Sequence, residues 1–288
     1  MVAVGVNVLN FGRADSATAV RESIVRAESA GFDLAMVSDH VAVTADVDRA
    51  YPAPFLEAFT LLGWAAGATS TITLGTTVAV LPYRHPLLVA AMTDTLGQLS
   101  DDRFVLGVGV GWSRQEYDAL GVDFDRRGAI TDDFLAALIA QRDGLDHSGP
   151  HVRFEGVGSG RFTAPIWVGG NSKRAIERAV RFGQAWHPLD VTLGWLRDIG
   201  VPALRAESAA APALAPRVKL RPTDDTVDPV RRRLGEGSWD QIEEDFAALV
   251  ELGATHVVLD PDTAATRAGA DPWPWLERAL AALREAQR

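Results

Sequence analysis

Short apolar runs alternate with amphipathic segments along nearly the whole chain. The runs are apolar on both faces, as expected of parallel strands that are buried on both sides of a sheet. The segments between them repeat apolar residues every three or four positions, which is the helical period. Eight strands are therefore predicted, over Val2–Val8, Leu34–Ser38, Ile72–Val80, Phe104–Val110, Ile166–Val168, Gln184–His187, Val218–Arg221 and His256–Leu259.

Several helix boundaries carry recognisable capping signals. Asp15 or Ser16 precedes a helical segment that is expected to stop at Gly31. Ser238, with Gln241 three residues later, has the spacing of a capping box at the start of another helix. Further helices are predicted over Phe55–Ala68 and after Pro272 and Pro274.

Eight strands in alternation with helices favour a closed barrel over an open sheet. The sequence predicts one domain over residues 1–288, a TIM-type eight-stranded β/α barrel with its active site at the C-terminal ends of the strands. Two insertion segments interrupt the alternation. Gly144–Ala164, with a short strand predicted at His151–Glu155, is either a lid over the active site or a surface connection. Pro202–Pro216 is predicted to begin with a short helix.

Composition narrows the class of protein. Hydrophobic residues make up 47% of the chain and charged residues 23%, which is typical of a globular protein. We expect no membrane span and no signal peptide, so the cytoplasm is the default location. The absence of cysteine excludes disulfides, thiolate metal sites and a cysteine nucleophile. A formal net charge of −10 argues against nucleic acid as a partner.

Polar residues follow several of the predicted strands, where a barrel of this kind would carry its chemistry. Asp39 and His40 come directly after the second strand. Histidine titrates near neutral pH and a carboxylate can tune it, so the pair is a candidate for proton transfer or for binding a cofactor edge. A purely structural role for the two residues remains the alternative.

Gly169, Gly170, Asn171 and Ser172 lie between the fifth strand and the helix that follows it. Asn171 or Ser172 is expected to cap that helix, whose first N–H groups and dipole favour an anion such as phosphate. The cationic Lys173 in the first turn makes sense beside a bound anion. An ordinary tight turn with a normal cap would use the same residues.

The glycines from Gly107 to Gly111 do not form a dinucleotide fingerprint, because Trp112 stands where its last glycine would be. Small residues here, Gly109 and Gly111 among them, would let a flat ring approach. Trp112 is then either a wall of that site or a core residue. His187, at the end of the sixth strand, is either a ligand contact or a satisfied polar group. No spacing typical of a metal site or a serine hydrolase occurs.

Together these strand ends resemble the luciferase-like monooxygenase superfamily. The motifs that carry the resemblance run in order through almost the whole chain. They are Val37-Ser-Asp-His40, Leu74-Gly-Thr-Thr-Val78 with Pro82-Tyr-Arg-His-Pro86, Leu106-Gly-Val-Gly-Val-Gly-Trp112 with Glu116-Tyr117, Ile166-Trp-Val-Gly-Gly170 and Gly253-Ala-Thr-His-Val-Val-Leu259.

The resemblance implies a small-molecule enzyme that binds FMN or the deazaflavin coenzyme F420. The sequence is most similar to the F420 branch, and the arginine-rich composition, with lysine only at positions 173 and 219, agrees with its actinobacterial members. It further implies that Asp39 and His40 lie near the deazaflavin ring, that Thr77 and Val78 support its face, and that Gly169 to Ser172 hold the phosphodiester. The resemblance also implies a homodimer, which the superfamily generally forms through helices on one side of the barrel. Apolar residues are plentiful enough for such an interface, as in Phe55–Phe59 and Leu61-Leu62.

One departure from the family pattern changes the expected chemistry. The sugar-phosphate dehydrogenases of this family carry a proton-donating acid directly after the strand-four glycines, and here that position is Trp112. The implied substrate is therefore not a sugar phosphate, and His40 becomes the leading candidate for proton transfer, with Glu116 bracing the loop. An FMN-dependent monooxygenase and a non-catalytic flavin-binding barrel are the alternatives.

The resemblance also implies a non-proline cis peptide at the end of the third strand. We expect it between Thr77 and Val78, or one residue earlier, between Thr76 and Thr77. The residue after the bond would press against the centre of the flavin-like ring. Val78 suits that position because its branched side chain has little rotamer freedom to lose.

Overall fold

The computed structural model describes residues 1–12, 17–158, 163–207, 211–262, 264, 266 and 269–288. Parallel strands alternate with helices along them, so the chain has an α/β fold. The strands are β1 (Ala3–Asn7), β2 (Leu34–Val37), β3 (Thr73–Thr76), β4 (Ala79–Val80), β5 (Phe104–Gly109), β6 (His147–Ser148), β7 (Arg153–Phe154), β8 (Ile166–Gly169), β9 (Ala185–His187), β10 (Ala213–Leu214), β11 (Arg217–Pro222), β12 (Glu236–Gly237) and β13 (His256–Pro261).

The helices are α1 (Ala17–Ala30), α2 (Ala45–Ala50), α3 (Ala58–Ala66), α4 (Pro86–Leu99), α5 (Arg114–Ala119), α6 (Arg127–Arg142), α7 (Lys173–Phe182), α8 (Leu193–Trp195), α9 (Val201–Glu207), α10 (Trp239–Glu251) and α11 (Trp273–Glu285). A 3₁₀ turn at Leu81–Tyr83 follows β4, and a π-helical turn at Leu196–Gly200 joins α8 to α9. None of the helices, as far as the structure describes them, is long and apolar enough to cross a membrane.

The strands and helices predicted from the sequence are present, with two informative differences in their bounds. The third strand is divided into β3 and β4 rather than running from Ile72 to Val80. The helix predicted from Phe55 begins at Ala58, because the Glu57 side chain accepts the Thr60 N–H and caps the first turn. The predicted cap residues 15 and 16 lie outside the described residues.

The chain forms two compact units. The first comprises Met1–Val8, Arg26–Met36 and Trp167–Arg288. Within it, β1 pairs in parallel with β2 on one side and with β13 on the other, and β13 continues to β11. β8 pairs with β9, and a bridge between Leu189 and Arg217 links the end of β9 to β11.

Polar side chains tie the ends of three strands together in the first unit. Asp260 at the end of β13 is buried and accepts hydrogen bonds from Asn7 Nδ2 at 2.8 Å and Arg217 Nε at 3.0 Å. The predicted capping box of α10 is confirmed, since Ser238 and Gln241 each bond the other's backbone N–H. The expected stop at Gly31 is also confirmed, where φ is +86°.

The second unit comprises Leu9–Val25 and Val37–Ile166. Its central strand is β5, which pairs in parallel with both β3 and β4. The Thr77 N–H donates to the carbonyl of Val37, which closes β2, at 2.8 Å. On the other side, the Leu106 N–H donates to the carbonyl of Pro165 at 2.9 Å. The strand ends that carry Asp39, His40, Thr77 and Gly109 therefore belong to one unit.

The segment predicted as a lid or surface connection contains an antiparallel hairpin, β6–β7, in its described part. Asp133 of α6 anchors it, accepting His147 Nε2 at 2.8 Å and the N–H groups of His151 at 2.8 Å and Val152 at 3.0 Å. Val152 and Phe154 pack on Ala137. Residues 159–162 of this segment lie outside the described residues, and its role as a lid stays a prediction.

Candidate active site

The candidate active site in the second unit begins where β2 ends. Ser38, Asp39 and His40 follow Val37 directly, and Asp39 and His40 retain only 3% and 7% exposure. Successive side chains in an extended segment point to opposite sides. The two residues accordingly enter different hydrogen-bond networks, although they are neighbours in the chain.

Asp39 forms a buried ion pair with Arg84. Arg84 Nη1 lies 2.7 Å from Asp39 Oδ2 and Nη2 lies 2.9 Å from Oδ1, while Nη2 also contacts Glu57 Oε1 at 2.9 Å. Val80 N–H donates to the same carboxylate at 3.0 Å. Burial alone would lower the pKa of Arg84, but Asp39 and Glu57 outweigh it and raise that pKa. The Asp39 carboxylate therefore binds the loop after β4. The carboxylate that contacts His40 is a different one.

The carboxylate beside His40 belongs to Glu116. His40 Nδ1 lies 2.6 Å from Glu116 Oε2, and the Glu116 side chain is fully buried. Glu116 stands in the first turn of α5, which Ser113 caps by accepting the Glu116 N–H at 3.0 Å. The cap therefore sets the position from which the glutamate reaches His40.

Four donors surround the Glu116 carboxylate. Oε2 accepts from His40 and from the Tyr83 hydroxyl at 2.9 Å, and Oε1 accepts from the N–H groups of Val41 at 2.6 Å and Ala42 at 3.0 Å. Burial alone would raise the pKa of Glu116, but the hydrogen bond and charge of His40, with the two backbone N–H groups, lower it. The carboxylate is therefore ionised at neutral pH.

Aromatic rings enclose the other sides of His40. The ring centres of Tyr51, Phe55 and Trp112 lie 5.5, 5.2 and 5.7 Å from that of His40, and the last two meet it edge to face. Phe11 stacks on Phe55 at 5.2 Å. Trp112 remains 46% exposed, so it is not a core residue. A titratable ring is thus set in a largely apolar surrounding.

The predicted cis peptide is confirmed between Thr77 and Val78. Thr77 is buried and bonds to the end of β2, and Val78 packs towards β5. A Cβ atom at Gly109 would come within 2.5 Å of Val78 Cγ2. A Cβ at Gly111, where φ is +66°, would come within 2.7 Å of Val80 Cγ1.

These contacts correct the reason proposed for the glycines. The sequence suggested that small residues at 109 and 111 leave space for a flat ring. In the structure, the space in front of Gly109 and Gly111 is occupied by Val78 and Val80 of the neighbouring segment, and a Cβ at Gly107 would collide with the carbonyl of Thr76. These glycines lack a side chain so that β5 and the segment from Thr76 to Val80 can approach each other closely. Whether either glycine also contacts a cofactor stays a prediction.

In the first unit, Gly169 ends β8 and Gly170 turns the chain with φ +119°. Ser172, not Asn171, caps α7, accepting the Ala175 N–H at 3.2 Å. Asn171 instead forms two hydrogen bonds with the backbone of Leu189. Its Nδ2 donates to the carbonyl at 2.6 Å, and its Oδ1 accepts from the N–H at 3.1 Å. The first N–H groups of a helix have no acceptor within it, so the start of α7 keeps the donors that an anion requires.

His187 ends β9 in the first unit and is 2% exposed. Its Nδ1 forms a hydrogen bond with the carbonyl of Ala215. Burial, with the charge of Arg217 and His256, lowers the pKa of His187 to about 4. The ring is therefore neutral at pH 7, and because a carbonyl only accepts, Nδ1 carries the proton. This geometry favours the satisfied polar group over the ligand contact.

The structure thus brings Asp39, His40, Thr77, Val78, Gly109, Gly111 and Trp112 into one unit, and Gly169, Gly170, Asn171, Ser172 and His187 into the other. From the sequence, Glu116 is expected to brace the loop, but neither its contact with His40 nor the contact of Arg84 with Asp39 is predicted. Ser113 and Glu116 do have capping-box spacing, but spacing does not tell whether the glutamate reaches its own helix or another loop. The described residues contain no cluster of three or more potential metal ligands.

Several known proteins are similar to this chain in sequence. An uncharacterized protein of Sinorhizobium fredii is 33% identical over 199 residues, which cover 64% of this chain and 55% of the relative. An F420-dependent glucose-6-phosphate dehydrogenase of Intrasporangium calvum is 41% identical over 93 residues, covering 32% of this chain and 27% of the relative. The chain spans little more than half the length of the relatives it matches most extensively.

Solved structures share the fold over almost the full length. An F420-dependent secondary alcohol dehydrogenase in complex with an F420-acetone adduct matches with a TM-score of 0.77 at 16% identity, covering 98% of this chain and 99% of that chain. The oxygenating constituent of 3,6-diketocamphane monooxygenase from Pseudomonas putida, in complex with FMN, matches with a TM-score of 0.70 at 20% identity. The match covers 96% of this chain and 95% of that chain.

The family model described as luciferase-like monooxygenase matches residues 3–220. This match includes four of the five strand-end motifs in full, among them those that carry His40, Thr77 and Glu116, and it confirms the resemblance found in the sequence. The chain belongs to the luciferase-like monooxygenase family of enzymes.

Proposed function

We propose that this enzyme is an oxidoreductase that transfers a hydride between coenzyme F420 and a small organic substrate. The observation that carries the proposal is His40, a proton-transfer group held by a buried carboxylate and set among the rings of Tyr51, Phe55 and Trp112. Interconversion of a carbonyl and an alcohol requires a hydride and a proton, and such a histidine can provide the proton. The F420-dependent relatives support the choice of cofactor.

The residues of the second unit suit a planar cofactor ring and an uncharged substrate. A bound deazaflavin would supply or take up the hydride, while the protein positions it and shields it from water. Val78 and the aromatic side chains around His40 offer apolar surface. Arg84 is engaged by Asp39 and Glu57, so it does not serve as the anchor of an anionic substrate. With Trp112 at the position of the family's acid, this favours a substrate other than a sugar phosphate.

His40 is the group proposed to move the proton, with Asp39 holding the adjoining loop through Arg84. The start of α7, with Gly169, Gly170 and the cap Ser172, is proposed separately as the phosphate-binding element. Asn171 is engaged by Leu189 and would serve the turn rather than the phosphate. A contact of His187 with the cofactor is the weakest part of the proposed set, because the ring is already buried and bonded.

One other function has specific support. An FMN-dependent monooxygenase is favoured by the FMN complex among the solved structures that share the fold. The alternative of a flavin-binding protein without turnover is not favoured, because the chain belongs to a family of enzymes. The single-domain organisation and the closed eight-stranded barrel remain proposals that rest on the strand pattern and on the shared fold.

The cofactor is the first test. F420 and FMN are titrated into the protein in the same buffer, and the fluorescence of its eight tryptophans is followed. We expect F420 to bind at least about tenfold more tightly, a difference of ~1.4 kcal/mol. Equal or tighter binding of FMN would replace the proposal with the monooxygenase alternative.

The role of His40 is tested with the F420-loaded enzyme and a panel of small secondary alcohols and ketones. His40→Ala should lower turnover by roughly a hundredfold or more, as removal of a general acid or base does, with little change in the Kd for F420. His85→Asn is the control, since His85 is exposed and asparagine keeps a helix-capping acceptor. Undiminished turnover of His40→Ala would assign His40 a structural role.

The phosphate site is tested by placing a negative charge at the start of α7. Ser172→Asp should keep the helix capped while repelling an anion, so the Kd for F420 is expected to rise about tenfold or more without loss of thermal stability. Ser172→Asn is the matched control, because it caps without charge. Gly170 is a poorer target, since a side chain there is strained at φ +119° and lies 3.0 Å from Ala175 Cβ. If Ser172→Asp and Ser172→Asn bind F420 with the same Kd, the cofactor phosphate does not bind at the start of α7.

A homodimer remains a proposal, but the exposed apolar residues that could form its interface are not the ones named from the sequence. Phe59, Leu61 and Leu62 are buried within the protomer, whereas Trp64 and Leu99 of α3 and α4 are 44% and 55% exposed. Light scattering at micromolar concentration should give twice the 30.9 kDa of one chain. Leu99→Asp should reduce that mass to one chain, while the control Leu145→Asp, at another exposed leucine, should not. A monomeric mass of the unmodified protein would exclude the dimer.

A further inference from the structure

The Glu116 carboxylate determines which nitrogen of His40 carries a proton. A carboxylate only accepts hydrogen bonds, so the hydrogen that lies between His40 Nδ1 and Glu116 Oε2 at 2.6 Å must belong to Nδ1. This holds whether the imidazole is neutral or protonated. The neutral ring therefore has its lone pair on Nε2, and the protonated ring carries its second hydrogen there.

The other contacts of Glu116 prevent this arrangement from reversing. Val41 and Ala42 present backbone N–H groups to Oε1, and neither can become an acceptor. Burial and the charge of Glu116 raise the pKa of Tyr83 well above its ordinary value, so its hydroxyl stays protonated and donates to Oε2. All four acceptor positions of the carboxylate are therefore engaged, and the side chain has no alternative orientation that frees Nδ1.

Nε2 is the nitrogen left for chemistry. It forms no hydrogen bond with any residue that the structure describes, and His40 keeps 7% of its surface exposed. A neutral ring in this state takes up one proton at Nε2, and the resulting cation, opposite the Glu116 charge, returns it from the same atom. When a hydride is added to a carbonyl carbon, Nε2 would give its proton to the oxygen, and when a hydride leaves an alcohol carbon, Nε2 would take the hydroxyl proton, so the substrate's proton balance needs no other protein group.

We propose that Glu116 is a positioning residue that holds the proton of neutral His40 on Nδ1 and so reserves Nε2 for proton exchange with the substrate. The assignment of the tautomer stands on these hydrogen bonds and on the ionised state of the carboxylate that they surround. Its catalytic consequence rests on the proposed function. Asp39, the neighbour of His40 in the chain, has no part in it because Arg84 and Val80 engage its carboxylate.

The tautomer is measured by ¹⁵N NMR of histidine-labelled protein without added cofactor, recorded where the ring is neutral. The six histidines are distinguished by the loss of the His40 signals in His40→Asn. We expect a protonated Nδ1 and an unprotonated Nε2 in the unmodified protein. A ring protonated on Nε2, or an equal mixture of tautomers, would overturn the proposal before any variant is made.

Glu116→Gln provides the sharper comparison. Its amide oxygen is expected to stay with the Val41 and Ala42 N–H groups, which turns the amide NH₂ towards His40 Nδ1. Because that NH₂ donates, Nδ1 must accept and the proton should move to Nε2. Tyr83→Phe is the control, since it removes one donor from Glu116 and adds none, and it should leave the proton on Nδ1. An unchanged tautomer in a folded Glu116→Gln protein would refute the role of Glu116.

Activity forms the second readout. With F420 and the alcohol and ketone panel, Glu116→Gln should lower kcat by roughly a hundredfold or more, with KM and the Kd for F420 little changed, because the wrong tautomer leaves binding intact. Tautomer reversal with undiminished kcat would overturn the catalytic half of the proposal. If the unmodified protein turns over none of the panel, the proposed function fails on that panel, and the NMR result alone still decides the positioning of His40.

Discussion

A buried carboxylate has to find hydrogen-bond donors inside the protein, because no water reaches it, and the candidate active site depends on how Glu116 meets this requirement. Its four donors come from two places in the chain, the loop that follows β2 and Tyr83 after β4, while the glutamate itself stands on α5. One side chain thereby fixes three strand ends of the second unit relative to each other. Apolar packing alone is not directional enough to do this.

The hydrogen bonds of Asp39 connect the same two loops, the one that follows β2 and the one that follows β4. Arg84 meets Asp39 with two hydrogen bonds and Glu57 with a third, so the loop after β4 is held to the end of β2 and to the start of α3. A planar guanidinium suits such paired contacts better than an ammonium group would. Two neighbouring residues, Asp39 and His40, therefore have different physical tasks, one anchoring a loop and the other presenting a titratable ring.

In the first unit, the proposed phosphate-binding element consists of backbone groups. At the start of α7 the Ser172 hydroxyl satisfies one N–H group, Asn171 fixes the turn against Leu189, and the other first N–H groups have no acceptor within the helix. The phosphate site proposed here would attract an anion through these fixed dipoles. The buried polar contacts of Asp260 with Asn7 and Arg217 give the ends of β1, β11 and β13 the same kind of directional support that Glu116 gives the second unit.

Local sequence patterns were sufficient for the order of strands and helices, for the capping box of Ser238 and, through the family motif, for the cis peptide between Thr77 and Val78. These features depend on residues close together in the chain, where periodicity and turn chemistry leave a trace. The partner of His40 depends on a contact across 76 residues, and the space beside Gly109 is taken by the side chain of Val78, which lies between β3 and β4. Only tertiary structure decided those, because which distant groups meet depends on how strands and loops pack, and no local period in the sequence records it.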